Sequence, residues 1–257
     1  MTVHFIGAGP GAADLLTVRA TRMIARSAVC VYAGTYLDAE VLGHCPPDAT
    51  LIDSSDLSLE EITEHLVDAH RAGHEVARLC SGDPSLYSAL AEQARRLDRA
   101  GVPWDVTPGV PAYAAAAAIL RRELTVPEVA QTVILTRVHR ASTAMPAGEE
   151  LEHLAATRAT LVLHLAIRRT RELAERLALF YGVDCPVAVV AHATQPDQLV
   201  LRGTLADVAD QVEAAALRQA AVIIVGPALA AEGFVDSHLY GTRINPPAEA
   251  AAHPPHS

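Results

Sequence analysis

Ser81-Gly82-Asp83-Pro84-Ser85-Leu86-Tyr87-Ser88 joins a strand-like run at residues 75–80 to a helix-like one at 89–99. A Gly-Asp-Pro turn in that place exposes backbone N–H groups and one carboxylate at the open end of a predicted sheet, where α/β proteins bind ligands. The simpler account is an N-capped turn in which Asp83 or Ser85 starts the next helix. A second glycine-rich turn, Gly7-Ala8-Gly9-Pro10-Gly11, follows a short apolar strand at residues 3–6. Gly-x-Gly after a strand opens a dinucleotide fingerprint, yet Ala12 stands where the third glycine belongs. Pro10 also removes an N–H that would face a pyrophosphate. A nicotinamide dehydrogenase needs an acid for the ribose at the end of the second strand, and Tyr32, Ala33 and Gly34 stand there instead. His70 and His74 have the spacing of zinc helices, with His65 nearby, but no carboxylate or cysteine signature completes a site. Solvated helix-end histidines account for them, and no metal is expected.

The elements that position these loops follow from periodicity. Strands are predicted at residues 3–6, 29–32, 50–52, 75–80 and 104–107, joined by helices except across 33–49, which reads as loop. Ser58, with Glu61 three residues on, marks a capped helix start, and Leu59, Ile62, Leu66 and Ala69 lie on its core face. Residues 112–118 are nearly all alanine, giving a helix able to approach a sheet or a ligand closely, or simply a good helix former. The pattern breaks at residues 121–129 and restarts with strands at 132–135, 160–165, 187–191, 198–202 and 221–225, with helices in every gap but the one between 187–191 and 198–202. The fold class is therefore α/β with two tandem domains, residues 1–120 and 132–235, joined by a linker at 121–131. Residues 236–257 read as a disordered tail. Two open sheets in tandem bring strand ends and loops to a shared cleft, a common home for small-molecule sites.

Composition narrows the classes. A chain of 257 residues, 51% hydrophobic and 19% charged, is globular with ample core. Its net charge of −10 argues against a nucleic-acid or anionic-membrane partner, which needs clustered Lys and Arg. Cys30, Cys45, Cys80 and Cys185 are scattered with no CxxC pair, as expected of reduced thiols in a cytoplasmic protein. The first residues show no signal-peptide pattern, and the longest apolar runs are too short to span a bilayer.

Taken together the motifs are more specific than any one of them. Val3-His-Phe-Ile-Gly-Ala-Gly-Pro-Gly11, the Gly-Asp-Pro loop, Thr107-Pro-Gly-Val-Pro-Ala112, and Ala191-His-Ala-Thr-Gln-Pro-Asp-Gln198 with Gly203-Thr-Leu205 occur in order along the chain. In that order and spacing they resemble the tetrapyrrole (corrin/porphyrin) methyltransferases. Tyr32-Ala-Gly34 and the stretch from Glu123 to Arg137 are most similar to the branch that methylates a corrin precursor at C11 in cobalamin biosynthesis. Other tetrapyrrole positions stand as the alternative, followed by a dehydrogenase or a non-catalytic binding module. The resemblance implies S-adenosylmethionine (SAM) as methyl donor in an interdomain trough, no metal, and a homodimer. By position it implies that Pro10 shapes the first loop, that Ser81, Gly82 and Asp83 form the cofactor loop, and that Leu86 packs beside it. Pro111 and Ala112 would flank the adenosine, Leu165 would replace a methionine common in the family, and Ala193 and Ala221 would line the far side. No catalytic residue is assigned. A tetrapyrrole carries many carboxylates, and Arg121, Arg122, Arg137 and Arg140, with His139, are the cations expected to meet them; for Arg121 and Arg122 a solvated helix end is the equal alternative.

Overall fold

The computed structural model describes residues 1–34, 39–138 and 145–234. The first sheet has five parallel strands: β1 (Val3–Gly7), β2 (Val29–Tyr32), β3 (Thr50–Asp53), β4 (Val76–Cys80) and β5 (Trp104–Thr107). Their order is β3-β2-β4-β1-β5. Helices α1 (Val18–Ile24), α2 (Ala39–Leu42), α3 (Leu59–Arg71) and α4 (Leu90–Ala100) lie in the crossovers. The capping box opens α3 as expected: Glu61 N–H donates to Ser58 Oγ (3.2 Å) and Ser58 N–H to Glu61 Oε2 (2.7 Å). Ile62, Leu66 and Val67 then face the sheet, where Phe5 meets Trp104 edge to face at 6.0 Å.

β1 and β4 are buried along their whole length, as central strands of a parallel sheet must be. Each nonetheless carries a polar residue. The ring nitrogens of His4 lie 2.8 Å from Asp105 Oδ1 and 2.9 Å from Glu75 Oε2, tying β1 to the start of β4 and to β5. Arg78 is buried without an ion pair among the described residues; its Nε donates to Gln93 Oε1 (3.0 Å) and its Nη1 to Ser54 Oγ (3.1 Å). Gln93, itself buried in the first turn of α4, thereby anchors the helix that follows the Gly-Asp-Pro loop.

The chain then runs through α5 (Ala112–Leu120) into a second five-stranded sheet: β6 (Val133–Arg137), β7 (Thr160–His164), β8 (Pro186–Ala191), β9 (Leu199–Thr204) and β10 (Ala221–Val225). Helices α6 (Leu151–Ala155), α7 (Thr170–Tyr181) and α8 (Val208–Ala214) complete it. The order is β6-β7-β10-β8-β9; only β6 and β7 are parallel, and the other neighbours are antiparallel. α7 begins at Thr170, two residues later than its apolar period suggests, because Ile167–Arg169 form a tighter 3-10 turn. α5 lays Ala115, Ala116 and Leu120 against Val162, Ala188, Val190, Val222 and Ile224 of this sheet. Its small side chains serve close helix–sheet packing. Cys30, Cys80 and Cys185 are buried and Cys45 is half-buried, all four as free thiols. Among the described residues no helix is long and apolar enough to cross a membrane.

Replacing Gln93 with Leu removes the acceptor facing the Arg78 Nε–H and strands a donor of a buried cation. The expected cost is about 2–3 kcal/mol of folding stability, read as a lower urea midpoint with an unchanged denaturant slope.

Candidate active site

Three loops at the carboxyl ends of β1, β4 and β5 interlock through glycine. Gly9 and Gly82 form a two-way bridge, Gly82 N–H to Gly9 O at 2.7 Å and Gly9 N–H to Gly82 O at 3.2 Å. A Cβ on Gly7 would overlap the backbone of Gly109, and one on Gly109 would overlap Gly82 and Gly7. No larger residue fits at this crossing. Asp83 fastens it: Oδ2 accepts the Gly109 N–H (2.8 Å), while Oδ1 accepts the Ser85 N–H (2.8 Å) and the Ser85 hydroxyl. Of the two accounts left open for this turn, the carboxylate is neither spare nor a helix cap; α4 starts only at Leu90. Burial works against the ionised form of Asp83, but hydrogen bonds from the Ser85 side chain and the Gly109 and Ser85 amides outweigh it and hold its pKa below the usual value.

The first loop also reaches the second sheet. Ala12 N–H donates to Thr194 Oγ1 (3.0 Å), and a Cβ on Gly11 would come within 2.6 Å of Gln195 Cγ and 2.9 Å of Ala193 O. Between the two sets of loops lies a cavity of about 670 Å3. Pro10, Ser81, Gly82, Asp83, Leu86, Pro111 and Ala112 line its first-sheet wall, and Leu165, Ala193 and Ala221 its second-sheet wall. Several non-glycine residues on or beside these walls have left-handed backbones: Tyr87 (φ +54°), Leu165 (φ +55°), His192 (φ +47°), Thr194 (φ +68°) and Ala220 (φ +52°). Such conformations persist where tertiary contacts over-determine them, and they concentrate at ligand sites.

Of the four arginines expected at a substrate, the three among the described residues, Arg121, Arg122 and Arg137, do not line this cavity. Arg121 forms the left-handed C-cap of α5, and Arg122 donates to Ala231 O (3.4 Å); neither lines the cavity. Arg137 ends β6 beside a separate, smaller hollow, and its charge is felt by the cavity residue Tyr87. Arg140 and His139 fall outside the described residues. Among the described residues the arginines on the cavity wall are Arg168, Arg169 and Arg218, and the histidines His164 and His192 also line it. His164 lies against Tyr87 with ring centroids 5.4 Å apart. Burial lowers its pKa, and its Nε2 is buried without a hydrogen-bond partner among the described residues. His192 pairs through Nδ1 with Asp197. The signal for the missed residues is position: Arg168 and Arg169 follow the carboxyl end of β7, the edge of a sheet where ligands collect.

Two α/β halves closing strand-end loops over one cavity define an enzyme that acts on a small molecule. The chain belongs to the tetrapyrrole (corrin/porphyrin) methylase family, whose model matches residues 2–209. It is 60% identical over 240 residues to a precorrin-4 C(11)-methyltransferase of Rhodococcus erythropolis, covering 93% of this chain and 96% of that one. It also resembles the X-ray structure of a cobalamin biosynthetic enzyme, cobalt precorrin-4 methyltransferase. That match has a TM-score of 0.85 and 35% identity, covering 89% of this chain and 95% of the other. A uroporphyrin-III C-methyltransferase of Thermus thermophilus, complexed with S-adenosyl homocysteine, matches with TM-score 0.76 and 28% identity over 90% and 99% of the two chains.

Replacing Asp83 with Ala is expected to cost about 1–2 kcal/mol at pH 7 by releasing the Gly109 amide. The sign of the pH effect follows from the lowered pKa. The carboxylate's contribution is fully present above its unfolded value of about 4 and disappears as pH falls through the lower folded value. Urea unfolding at successive pH values should therefore show the wild-type advantage over Asp83→Ala constant near neutrality and shrinking below about pH 4.

Proposed function

We propose that the protein transfers the methyl group of SAM to C11 of precorrin-4, a step in cobalamin biosynthesis. The observation that carries this reading is the 60% identity to the Rhodococcus enzyme across 93% of the chain. The lower identity of 35% to the cobalt precorrin-4 enzyme favours the metal-free substrate. SAM supplies an electrophilic sulfonium methyl. The cavity suits it: all ten residues expected at the cofactor line its walls, and most offer backbone, alanine or proline rather than charge. The T. thermophilus relative in complex with S-adenosyl homocysteine supports SAM as the cofactor.

Methyl transfer to an electron-rich carbon is an in-line displacement, and the protein's task is to align the reacting atoms and shield them from water. Pro10 and the interlocked loop of Ser81, Gly82 and Asp83 form one rigid wall. Leu86, Pro111 and Ala112 extend it with apolar surface for the adenosine, and Leu165, Ala193 and Ala221 close the other side. Asp83 acts by holding Gly109 rather than as an acid or base. A cytoplasmic homodimer is the state we assign by kinship, and light scattering of the purified protein tests the dimer.

Mass spectrometry after incubation with SAM and isolated precorrin-4 should find a product heavier by one methyl, and NMR should place it at C11. A methyl at another ring position would replace this reading with a different tetrapyrrole methylation; no transfer at all would end it. Gly82 has φ +69°, where a β-branched side chain is strongly strained. Gly82→Val should weaken S-adenosylhomocysteine binding by about tenfold or more, measured by calorimetry.

A further inference from the structure

We propose that Arg168 and Arg218 form a two-arginine clamp on the second-sheet wall of the cavity that binds peripheral carboxylates of the tetrapyrrole. The inference rests on the methyltransferase reading above and assigns the part of the site that reading leaves open.

The pair is built by the sheet. β7 and β10 are antiparallel, with Leu163 opposite Ile223 and Val162 opposite Ile224. Arg168, in the 3-10 turn after β7, and Arg218, in the segment before β10, lie just beyond the paired ends of these strands. The two meet there: Arg168 Nε donates to Arg218 O at 2.9 Å, while Arg218 Nη1 donates to Leu217 O at 3.2 Å. Both residues are exposed, and both line the cavity. Two guanidinium groups from separate segments thus share one wall, each held through a neutral carbonyl.

Their neighbours are matched differently. Arg169 pairs with Glu172, Arg171 with Asp210 and Glu213, and Arg176 with Glu152 and Glu172. Arg168 and Arg218 have no carboxylate within ion-pair distance among the described residues. Glu213, whose carboxylate senses Arg218, is already held by Arg171 at 2.8 Å. In a protein of net charge −10, two adjacent cations with no ion-paired acid among the described residues, on a cavity wall, mark a place for an anion supplied from outside. A guanidinium grips carboxylate through paired N–H donors, so two of them can fix the rotation of a planar macrocycle edged with acid side chains. The acid on the opposite wall, Asp83, is consumed by Gly109 and Ser85, so it presents little competing attraction.

Two anions could use the clamp: carboxylates of the tetrapyrrole, which we assign, or the carboxylate of the methyl donor's amino-acid end. The test compares wild type with Arg168→Ala/Arg218→Ala and with Arg168→Lys/Arg218→Lys. Thermal unfolding confirms that each variant is folded, which the exposure of both side chains favours. Uroporphyrin III, a stable macrocycle with carboxylates around its rim, serves as the binding probe by fluorescence quenching, and S-adenosylhomocysteine is titrated calorimetrically. The double alanine variant should bind uroporphyrin III about tenfold or more weakly with a shallower salt dependence. Its KM for precorrin-4 should rise by a similar factor while kcat falls less and S-adenosylhomocysteine affinity stays as in wild type. The lysine variant should recover part of the loss. Unchanged porphyrin binding and KM would overturn the assignment, and so would a loss confined to S-adenosylhomocysteine. A wild type that binds uroporphyrin III through these arginines but leaves precorrin-4 unmethylated would sink the C11 reading and keep the clamp.

Discussion

The structure depends on the contact of three glycines. Gly7, Gly82 and Gly109 end or follow three parallel strands, and their backbones approach so closely that a single methyl group on Gly7 or Gly109 would collide with main-chain atoms. Side chains cannot be repacked around a backbone clash, so the crossing tolerates no gradual change. What it gains is rigidity. The two-way bridge of Gly9 and Gly82 and the Asp83 link to Gly109 turn separate loops into one wall of the cavity. A site that works by alignment needs a surface that does not move.

The second wall is organised by other means. Strand ends of the mixed sheet turn back through non-glycine residues in left-handed conformations, Leu165, His192 and Ala220 among them. Each carries a local backbone cost that the surrounding packing must offset. α5 packs its alanines close against this sheet, while its N-cap Pro111 and first residue Ala112 belong to the opposite wall of the cavity. The Ala12–Thr194 hydrogen bond then fastens the first loop to the second half. One wall is fixed by the absence of side chains, the other by strain held in place.

Charge is distributed to match. The protein is acidic overall, and the arginines along α7 are spent on neighbouring glutamates and aspartates at its surface. At the cavity the pattern reverses: the one acid named on its first wall is bound by amides, and the opposite wall presents arginines. Local placement, rather than net charge, lets an acidic protein face a substrate class rich in carboxylates.

Much of this was legible in residue order. Strand and helix periods, the Ser58–Glu61 cap, the alanine helix and the motif series that marks the family all arise from local chemistry, since backbone propensity and amphipathic period act over a few residues. The ten residues named for the cofactor side lie on one cavity for the same reason, because they sit in turns at strand ends. What local pattern cannot encode is strand direction and the meeting of distant segments. The short gap before β9 points to an antiparallel hairpin with β8, but nothing local sets the antiparallel pairing of β10 with β7 and β8, or the meeting of Arg168 with Arg218, fifty residues apart. Arg121 and Arg122, beside the linker, look as promising on paper but lie off the cavity at the end of α5. Residue order was enough for most of the elements, for the loops and for the family. The tertiary structure decided which charges face the cavity and what Asp83 is for, because both depend on contacts between residues far apart in the chain.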